Sequence, residues 1–465
     1  MELASQLAAQ RAAFALGAPG ERERLTALRA LLQAVRGRRE EFVRAISEDF
    51  GGRARQETLL LEVFPLVDTI RHAIRHLPRW MRPRPAGTGW QFLPGRSRVV
   101  FQPLGAVGII GAWNYPLLLS LSPLVSALAA GNHVMLKPSE LAPHTADLLA
   151  RLAADLFPSG HVTVVTGGPE TGAAFASLPF DHLLFTGSTH VGKLIMRAAS
   201  ENLTPVTLEL GGKSPALVHR DFPAQTAAAR IMAGKLYNAG QTCIAPDYAL
   251  VHEDARDKFV RLASAAATAM YPSLVSNPDF TRIINRDHYR RLRSLLEDAR
   301  SKGAHIVELN PAGEVADEDN RVLPPALLWN VNDSMAVMQE EIFGPLLPLL
   351  TYRSLDEAID YINSHPRPLA LYYFDYHAKR VEQILSRTVS GGVTVNDTIL
   401  HIAQNDLPFG GVGPSGMGCY HGFDGFETFS KKKAVFFQSR FTTLGLLRPP
   451  YGTLARRVTD FLIGR

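Results

Sequence analysis

The sequence predicts an α/β protein: a doubly wound, largely parallel sheet followed by a second α/β unit. Three observations lead there. At 465 residues the chain exceeds what one hydrophobic core serves, so two or three domains are expected. From about residue 104 to 211, short apolar runs alternate with helical stretches, the pattern of repeated βαβ units. Residues 99–136 contain no Asp, Glu, Lys or Arg, as a strand–loop–helix–strand segment at the centre of a sheet requires.

The elements follow in order. "ERERLTALRALLQAVRGRREEFVRAISEDF" repeats apolar residues at three- and four-residue intervals between mixed charges, so the first 80 residues are expected to be helical. Pro, Gly and Trp break that period from Pro83 to Pro103, and "WQFLPGRSRVVFQP" is expected to run extended away from the first unit. "AVGIIGAW", "HVMLKPS", "HVTVVTG", "DHLLFTGS" and "PVTLELGG" are strand candidates. Between them lie the helices "PLLLSLSPLVSALAAGN", stopped at Gly131, "HTADLLARLAADLF" and "HVGKLIMRAAS". The second unit has strand candidates "YALVHE", "HIVEL", "LLPLLTY" and "GGVTVND", with helices "EDARDKFVRLASAAATAM" and "LDEAIDYINS". The tail "RPPYGTLARRVTDFLIGR" is basic and weakly amphipathic; a surface or packing helix is expected, with a membrane-touching tail as the alternative.

Composition excludes several classes. Hydrophobic residues are 46% and charged residues 20% of the chain, as in ordinary globular proteins. The net charge of +5 is spread along the sequence, and Lys431–Lys433 reads as a solvated patch, so no nucleic acid partner is expected. The uncharged stretch is long enough for a membrane span, but Pro103, Pro116, Pro123 and four glycines interrupt it, so none is expected. Two cysteines support neither a disulfide framework nor a four-cysteine zinc site. No metal site is expected. The N-terminus shows no signal-peptide pattern, and a cytoplasmic location is expected.

Some residues carry chemistry. Cys243 lies in "YNAGQTCIAPDY", among Gly240, Gln241 and Thr242, with Pro246 behind it. A loop or helix start is expected there, and a helix N-terminus would lower the thiol pKa. A free Cys is also commonly a small buried hydrophobe; the local residues leave both readings open. Glu209, within "VTLELGG", is flanked by apolar residues; burial raises a carboxylate pKa and suits it to general-base work. Asn114 in "GAWNYP" is either a turn cap or an oxyanion-stabilising amide. "FTGSTHVGK" is a strand–Gly–helix turn whose Gly187 and Gly192 are five apart, unlike G-x-G-x-x-G. Lys137 and Glu140 in "MLKPSE" follow a strand end, where they could bind ribose hydroxyls or form a surface pair.

"GAWNYP", "KPSE", "FTGSTHVGK", "LELGGKSP", "GQTCIAPDY", "EEIFGP" and "LPFGGVGPSGMG" occur in the order found in aldehyde dehydrogenases. The resemblance runs from about Arg71 to Lys433. "GQTCIAPDY" and "GGVTVNDTILHIAQNDLPFGGVG" are most similar to the class 3-like branch, including its bacterial coniferyl aldehyde dehydrogenases. The resemblance implies the aldehyde dehydrogenase-like fold: a Rossmann-like NAD-binding domain over 1–83 and 104–209, a catalytic α/β domain over 210–410, and a small bridging β element over 84–103 and 433–446. It implies Cys243 as nucleophile, Glu209 as base and Asn114 as oxyanion donor. It implies cofactor contacts from Lys137, Glu140, Gly187, Ser188, Glu341 and Phe343. The expected cofactor is NAD, with NADP possible, and the expected state a homodimer.

The implied reaction is oxidation of an aldehyde to the carboxylic acid through a cysteine thiohemiacetal and thioester. Aromatic aldehydes such as coniferyl aldehyde, or medium-chain aliphatic ones, are expected. Trp113, Tyr115, Ile244 and Ile402 are expected to line an apolar tunnel beside Cys243. The alternatives are a CoA-acylating enzyme, which would commonly lack a base at Glu209, and a non-catalytic protein on the same fold. Cys419 is given no role.

Overall fold

The computed structural model describes residues 2–158, 160–442 and 444–464. Three sheets organise them. The first has six strands in the order Gly416–Met417, Val206–Glu209, His182–Thr186, Ala106–Ile110, His133–Lys137 and Val162–Val164. All are parallel except Gly416–Met417, which runs antiparallel to Leu208 and Glu209. The strand order reverses about Ala106–Ile110, and Brändén's rule places ligands at the carboxyl ends of such strands.

The uncharged stretch fills the centre of this unit. Every residue of Ala106–Ile110 and His133–Lys137 is buried, and so is nearly all of the helix Leu118–Ala130 between them. Gly131, at φ 90, ends that helix in the left-handed region, as expected from sequence. N-terminal helices Glu21–Gly37, Arg39–Phe50 and Phe64–Trp80 pack on this side through Leu28, Leu31, Val35, Phe42 and Ile70. A π-helical turn, Leu59–Val63, leads directly into the last of them; such turns concentrate at functional sites.

The second sheet has seven strands, in the order His305–Glu308, Ala326–Trp329, Leu346–Tyr352, Tyr248–His252, Pro215–Val218, Ala370–Phe374 and Gly392–Val395. Only His305–Glu308 is antiparallel to its neighbour. The third sheet is a ribbon in which Arg96–Pro103 pairs with Arg84–Ala86 and with Ser430–Phe437. Its long partner begins at Ser430, before the expected position 433. Trp90–Phe92 is a short 3₁₀ turn rather than extended chain. The C-terminal helix Thr453–Ile463 lies on the surface, with Phe461 70% exposed and edge-on to Trp90. Among the described residues no helix is long and apolar enough to cross a membrane.

Candidate active site

A cavity of about 910 Å³ opens at the carboxyl ends of the first sheet's strands, against the second unit. All nine residues singled out in the sequence line it: Asn114, Lys137, Glu140, Gly187, Ser188, Glu209, Cys243, Glu341 and Phe343. They come from segments up to 229 positions apart (343 minus 114), so the fold gathers what the sequence disperses.

Cys243 sits in a turn, not at a helix start. Three successive left-handed residues, Asn238 (φ 54), Ala239 (φ 51) and Gly240 (φ 77), reverse the chain just before it. A side chain at 240 would run into the Gly344 carbonyl, so glycine is required twice over there. The Gln241 side chain pins the turn, donating to Asn238 O at 2.9 Å and Arg282 O at 3.1 Å and accepting from Ile284 N–H at 2.9 Å. The Tyr115 and Thr242 hydroxyls share a 2.6 Å bond, and the Tyr372 hydroxyl donates to Ile244 O. Of the loop and the helix start that the sequence allowed, the structure has the loop, so no helix N-terminus acts on the thiol. Burial, together with the carboxylates of Glu209 and Glu341, holds the Cys243 thiol well above its ordinary pKa. Such a thiol needs a nearby base to give up its proton.

Glu209 ends its strand, with 1% of its surface exposed. Among the described residues neither carboxylate oxygen has a partner at ordinary hydrogen-bond geometry. Burial pushes its pKa up to about 8, against a weaker downward pull from the Cys243 thiol and the Thr186 hydroxyl. Desolvation dominates because no ion pair opposes it. Asn114 is 3% exposed and donates from Nδ2 to Gln241 O at 3.1 Å, which leaves its second amide N–H toward the cavity.

On the other flank, Lys137 ends the strand His133–Lys137 and bonds Glu140 at 3.1 Å. Ser188 caps the helix Thr189–Ser200, its hydroxyl accepting Val191 N–H at 3.3 Å. Gly192 lets that helix lie on the sheet, since a Cβ there would sit 2.7 Å from Leu210 Cδ2. Glu341 is held above the usual carboxylate range, at about 8, first by burial and then by Asp247. Asp247 also pairs with Lys213 and accepts Ile342 N–H at 3.1 Å. Phe343 stands in a left-handed conformation (φ 52), 5.3 Å edge-on from Trp113.

The donor set fits a dinucleotide. Oε1 of Glu341, both Glu209 oxygens and the Thr186 hydroxyl line or face the cavity, buried without partners. Buried polar atoms left unsatisfied by the protein itself are places for a polar ligand. Thr186, His288 and Arg291 are among the lining residues that the sequence reading did not single out. Thr186 was legible, one step before Gly187 in "FTGS". His288 and Arg291 were not, because they ride the helix Arg286–Ser301 of the second unit and reach the cavity only through tertiary packing. Of the expected tunnel residues, Trp113 alone lines the cavity. Tyr115 and Ile244 are core residues, 8% and 2% exposed, which clamp the Cys243 turn instead; Ile402 is half-buried elsewhere.

A thiol, a high-pKa carboxylate and a buried amide, facing a cleft at the carboxyl ends of a doubly wound sheet, are the parts of an enzyme that works through a covalent thiol adduct. Residues 3–435 match the aldehyde dehydrogenase family. The chain belongs to that family and is an NAD(P)-dependent aldehyde dehydrogenase. It is 52% identical, over all of its length and 97% of the relative's, to a probable coniferyl aldehyde dehydrogenase of Pseudomonas aeruginosa. A substrate-bound Staphylococcus aureus AldH structure superposes with a TM-score of 0.93 at 39% identity, covering 98% of this chain and 99% of that one. A Mycobacterium tuberculosis aldehyde dehydrogenase complexed with NAD+ gives 0.85 at 30% identity, over 94% and 90% of the two chains.

Proposed function

We propose that the protein oxidises coniferyl aldehyde or related aromatic aldehydes, and medium-chain aliphatic ones, to carboxylic acids by a hydrolytic route. The observation that carries the hydrolytic reading is the buried, unpartnered Glu209 carboxylate beside Cys243. A carboxyl with a pKa near 8 accepts protons close to neutral pH, where general-base efficiency is greatest.

Glu209 takes the Cys243 proton, directly or through water, and the thiolate attacks the aldehyde carbon. The new oxyanion is met by the free Asn114 amide N–H and the Cys243 backbone N–H; one such donor is worth about 100- to 1000-fold in rate. NAD, when bound, supplies the hydride acceptor. Once Glu209 has passed the Cys243 proton to solvent, its carboxylate deprotonates the water that hydrolyses the Cys243 thioester, and the carboxylic acid leaves as the thiolate is restored. Lys137, Glu140, Gly187, Ser188, Glu341 and Phe343 are assigned to holding the cofactor. Glu140 should disfavour a 2′-phosphate, and the ratio of kcat/KM for NAD to that for NADP measures its effect; equal values would remove that role.

The apolar wall at Trp113 and Phe343 supports aromatic and medium-chain substrates. The likeness to a probable coniferyl aldehyde dehydrogenase supports the aromatic choice. The assay is NADH absorbance with coniferyl aldehyde, hexanal and acetaldehyde, with Cys243→Ala as control. Preference for acetaldehyde would refute the substrate class. Acyl-CoA as the main product in the presence of CoA would refute hydrolysis.

The three sheets support a division into cofactor, catalytic and bridging units close to the expected boundaries. A homodimer is supported by the exposed Phe436, Phe437 and Phe441 on and beside the ribbon; a monomeric mass in solution would remove it. The cysteine usage supports a cytoplasmic location, which cell fractionation tests.

A further inference from the structure

We infer that Asn238 is a positioning residue that sets the Asn114 amide against Cys243, and that a buried frame of Arg53, Glu57 and Glu62 holds it there. The inference rests on the roles proposed above for Asn114 and Cys243.

The Asn238 side chain donates from Nδ2 to two backbone carbonyls, Asn114 O at 3.0 Å and Gln241 O at 3.1 Å. One belongs to the turn that carries the oxyanion donor. The other lies two residues before the nucleophile and also accepts the Asn114 amide. One buried amide group therefore ties together the two turns whose spacing defines the oxyanion site. Its own Oδ1 is buried without a partner. Leaving a buried acceptor unsatisfied costs stability, so the orientation of this amide favours the two carbonyls over its own full satisfaction.

The frame behind Asn238 is specific. Its backbone, left-handed at φ 54 and ψ 32, is a conformation that Asn adopts more readily than most residues. Its N–H donates to both oxygens of Glu57 at 3.1 Å, and Glu57 also accepts the Thr281 hydroxyl at 2.6 Å. Arg53 adds a second donor to the Asn114 carbonyl at 3.2 Å and pairs with Glu62 at 2.7 Å. The other Glu62 oxygen accepts Leu117 and Leu118 N–H, at 2.9 and 3.0 Å, at the start of the helix after the Asn114 turn. Arg53, Glu57, Glu62 and Asn238 do not line the cavity. They act through the placement of other groups, and displacement by about 1 Å costs on the order of 100-fold in rate.

The test uses the full-length enzyme with NAD and its best aldehyde. Asn238→Gly keeps the left-handed backbone accessible and deletes the side chain with its amide. The expected result is a fall in kcat of about 10- to 100-fold. The KM for NAD and the rate of Cys243 alkylation by iodoacetamide should stay within about twofold, since neither uses the oxyanion site. In an Asn114→Ala background, Asn238→Gly should add little, because both remove one interaction. Should Asn238→Gly not fold, Asn238→Ser, too short to reach both carbonyls, is read the same way. An unchanged kcat in Asn238→Gly would overturn the inference, as would losses that multiply in the double variant. Full activity in Asn114→Ala would instead overturn the assignment of the oxyanion donor.

Discussion

Glu62 and Glu209 are both removed from water, yet their surroundings are opposite. Glu62 has an Arg53 partner and two backbone N–H donors, and both side chains of that pair are wholly inaccessible. Glu209 has no cation and no backbone donor among the described residues, only the Cys243 thiol and the Thr186 hydroxyl nearby. Burying a charge is tolerated when it is paired and hydrogen-bonded. Burial pushes the Glu62 carboxyl up as well, but the Arg53 guanidinium and the Leu117 and Leu118 N–H groups oppose that shift, and Glu62 serves as a fixed part of the frame. Glu209 lacks such partners, so its carboxyl favours the protonated form and can exchange a proton near neutral pH. The difference separates structure from chemistry: a satisfied buried carboxylate holds a position, and an orphaned one holds a proton.

The sharpest way to break the contrast is to neutralise each carboxylate. Glu209→Gln should lower kcat by about 100- to 10,000-fold, the range of general acid–base catalysis, with the thermal midpoint unchanged or raised. A variant above a tenth of wild-type kcat would refute the base assignment. The pH dependence sharpens this further. The Glu209 pKa is raised from 4.5 to about 8 in the folded state, so folding favours its proton. Its contribution to stability is complete below about pH 4.5 and is lost as pH rises toward 8. The turnover limb that depends on its base form should run the other way, rising to a plateau above about pH 8. Glu209→Gln should remove the kcat limb and make the fall of the urea midpoint from pH 5 to 9 shallower, the share due to Glu341 remaining.

Glu62→Ala should do the reverse. It strands the Arg53 guanidinium, which is inaccessible and rests 4.9 Å from the Tyr115 ring and 5.1 Å from the Phe50 ring. Removing one partner of a buried pair costs about 3–5 kcal/mol. Unfolding should therefore begin at markedly lower urea, and any fall in kcat should come through the displaced Asn114 turn. An unchanged midpoint would mean that the frame contributes nothing to the fold.

These two carboxylates also show what was legible in the sequence. Glu209 stood out because an acid interrupts the apolar strand of "VTLELGG". The alternation of strands and helices gave the parallel sheet, and Gly131 gave a helix end, since both depend on near neighbours in sequence. Glu62 sits in "LLLEVFP" with nothing local to show that Arg53 and the Leu117 backbone complete it. Asn238 was quoted only as part of a cysteine motif, although its role depends on three left-handed residues in succession. The choice between a loop and a helix start at Cys243 was open for the same reason: the left-handed run, which makes it a loop, turns the chain where a helix would begin. Ile244, next to Cys243 in sequence, is a core residue rather than a cavity-lining one because the turn is this tight.

The smallest contrast lies at the rim, where one polar cap joins the two kinds of site. The Asn285 side chain accepts His288 N–H at 2.8 Å and caps the helix Arg286–Ser301, which carries His288 and Arg291 to the cavity. Asn285→Ala removes one cap, worth about 1 kcal/mol. The loss should appear as a small shift in the urea midpoint. The rest of the helix is held by Tyr289, Leu292, Leu295 and Leu296 in the core, so its position over the cleft should survive and kcat should stay within about twofold, well short of the loss expected when an oxyanion donor moves. If kcat fell tenfold with only a slight change in midpoint, the cap would belong with Asn238, as a group that sets the geometry of the cleft. The boundary between frame and site would then reach the second unit's surface.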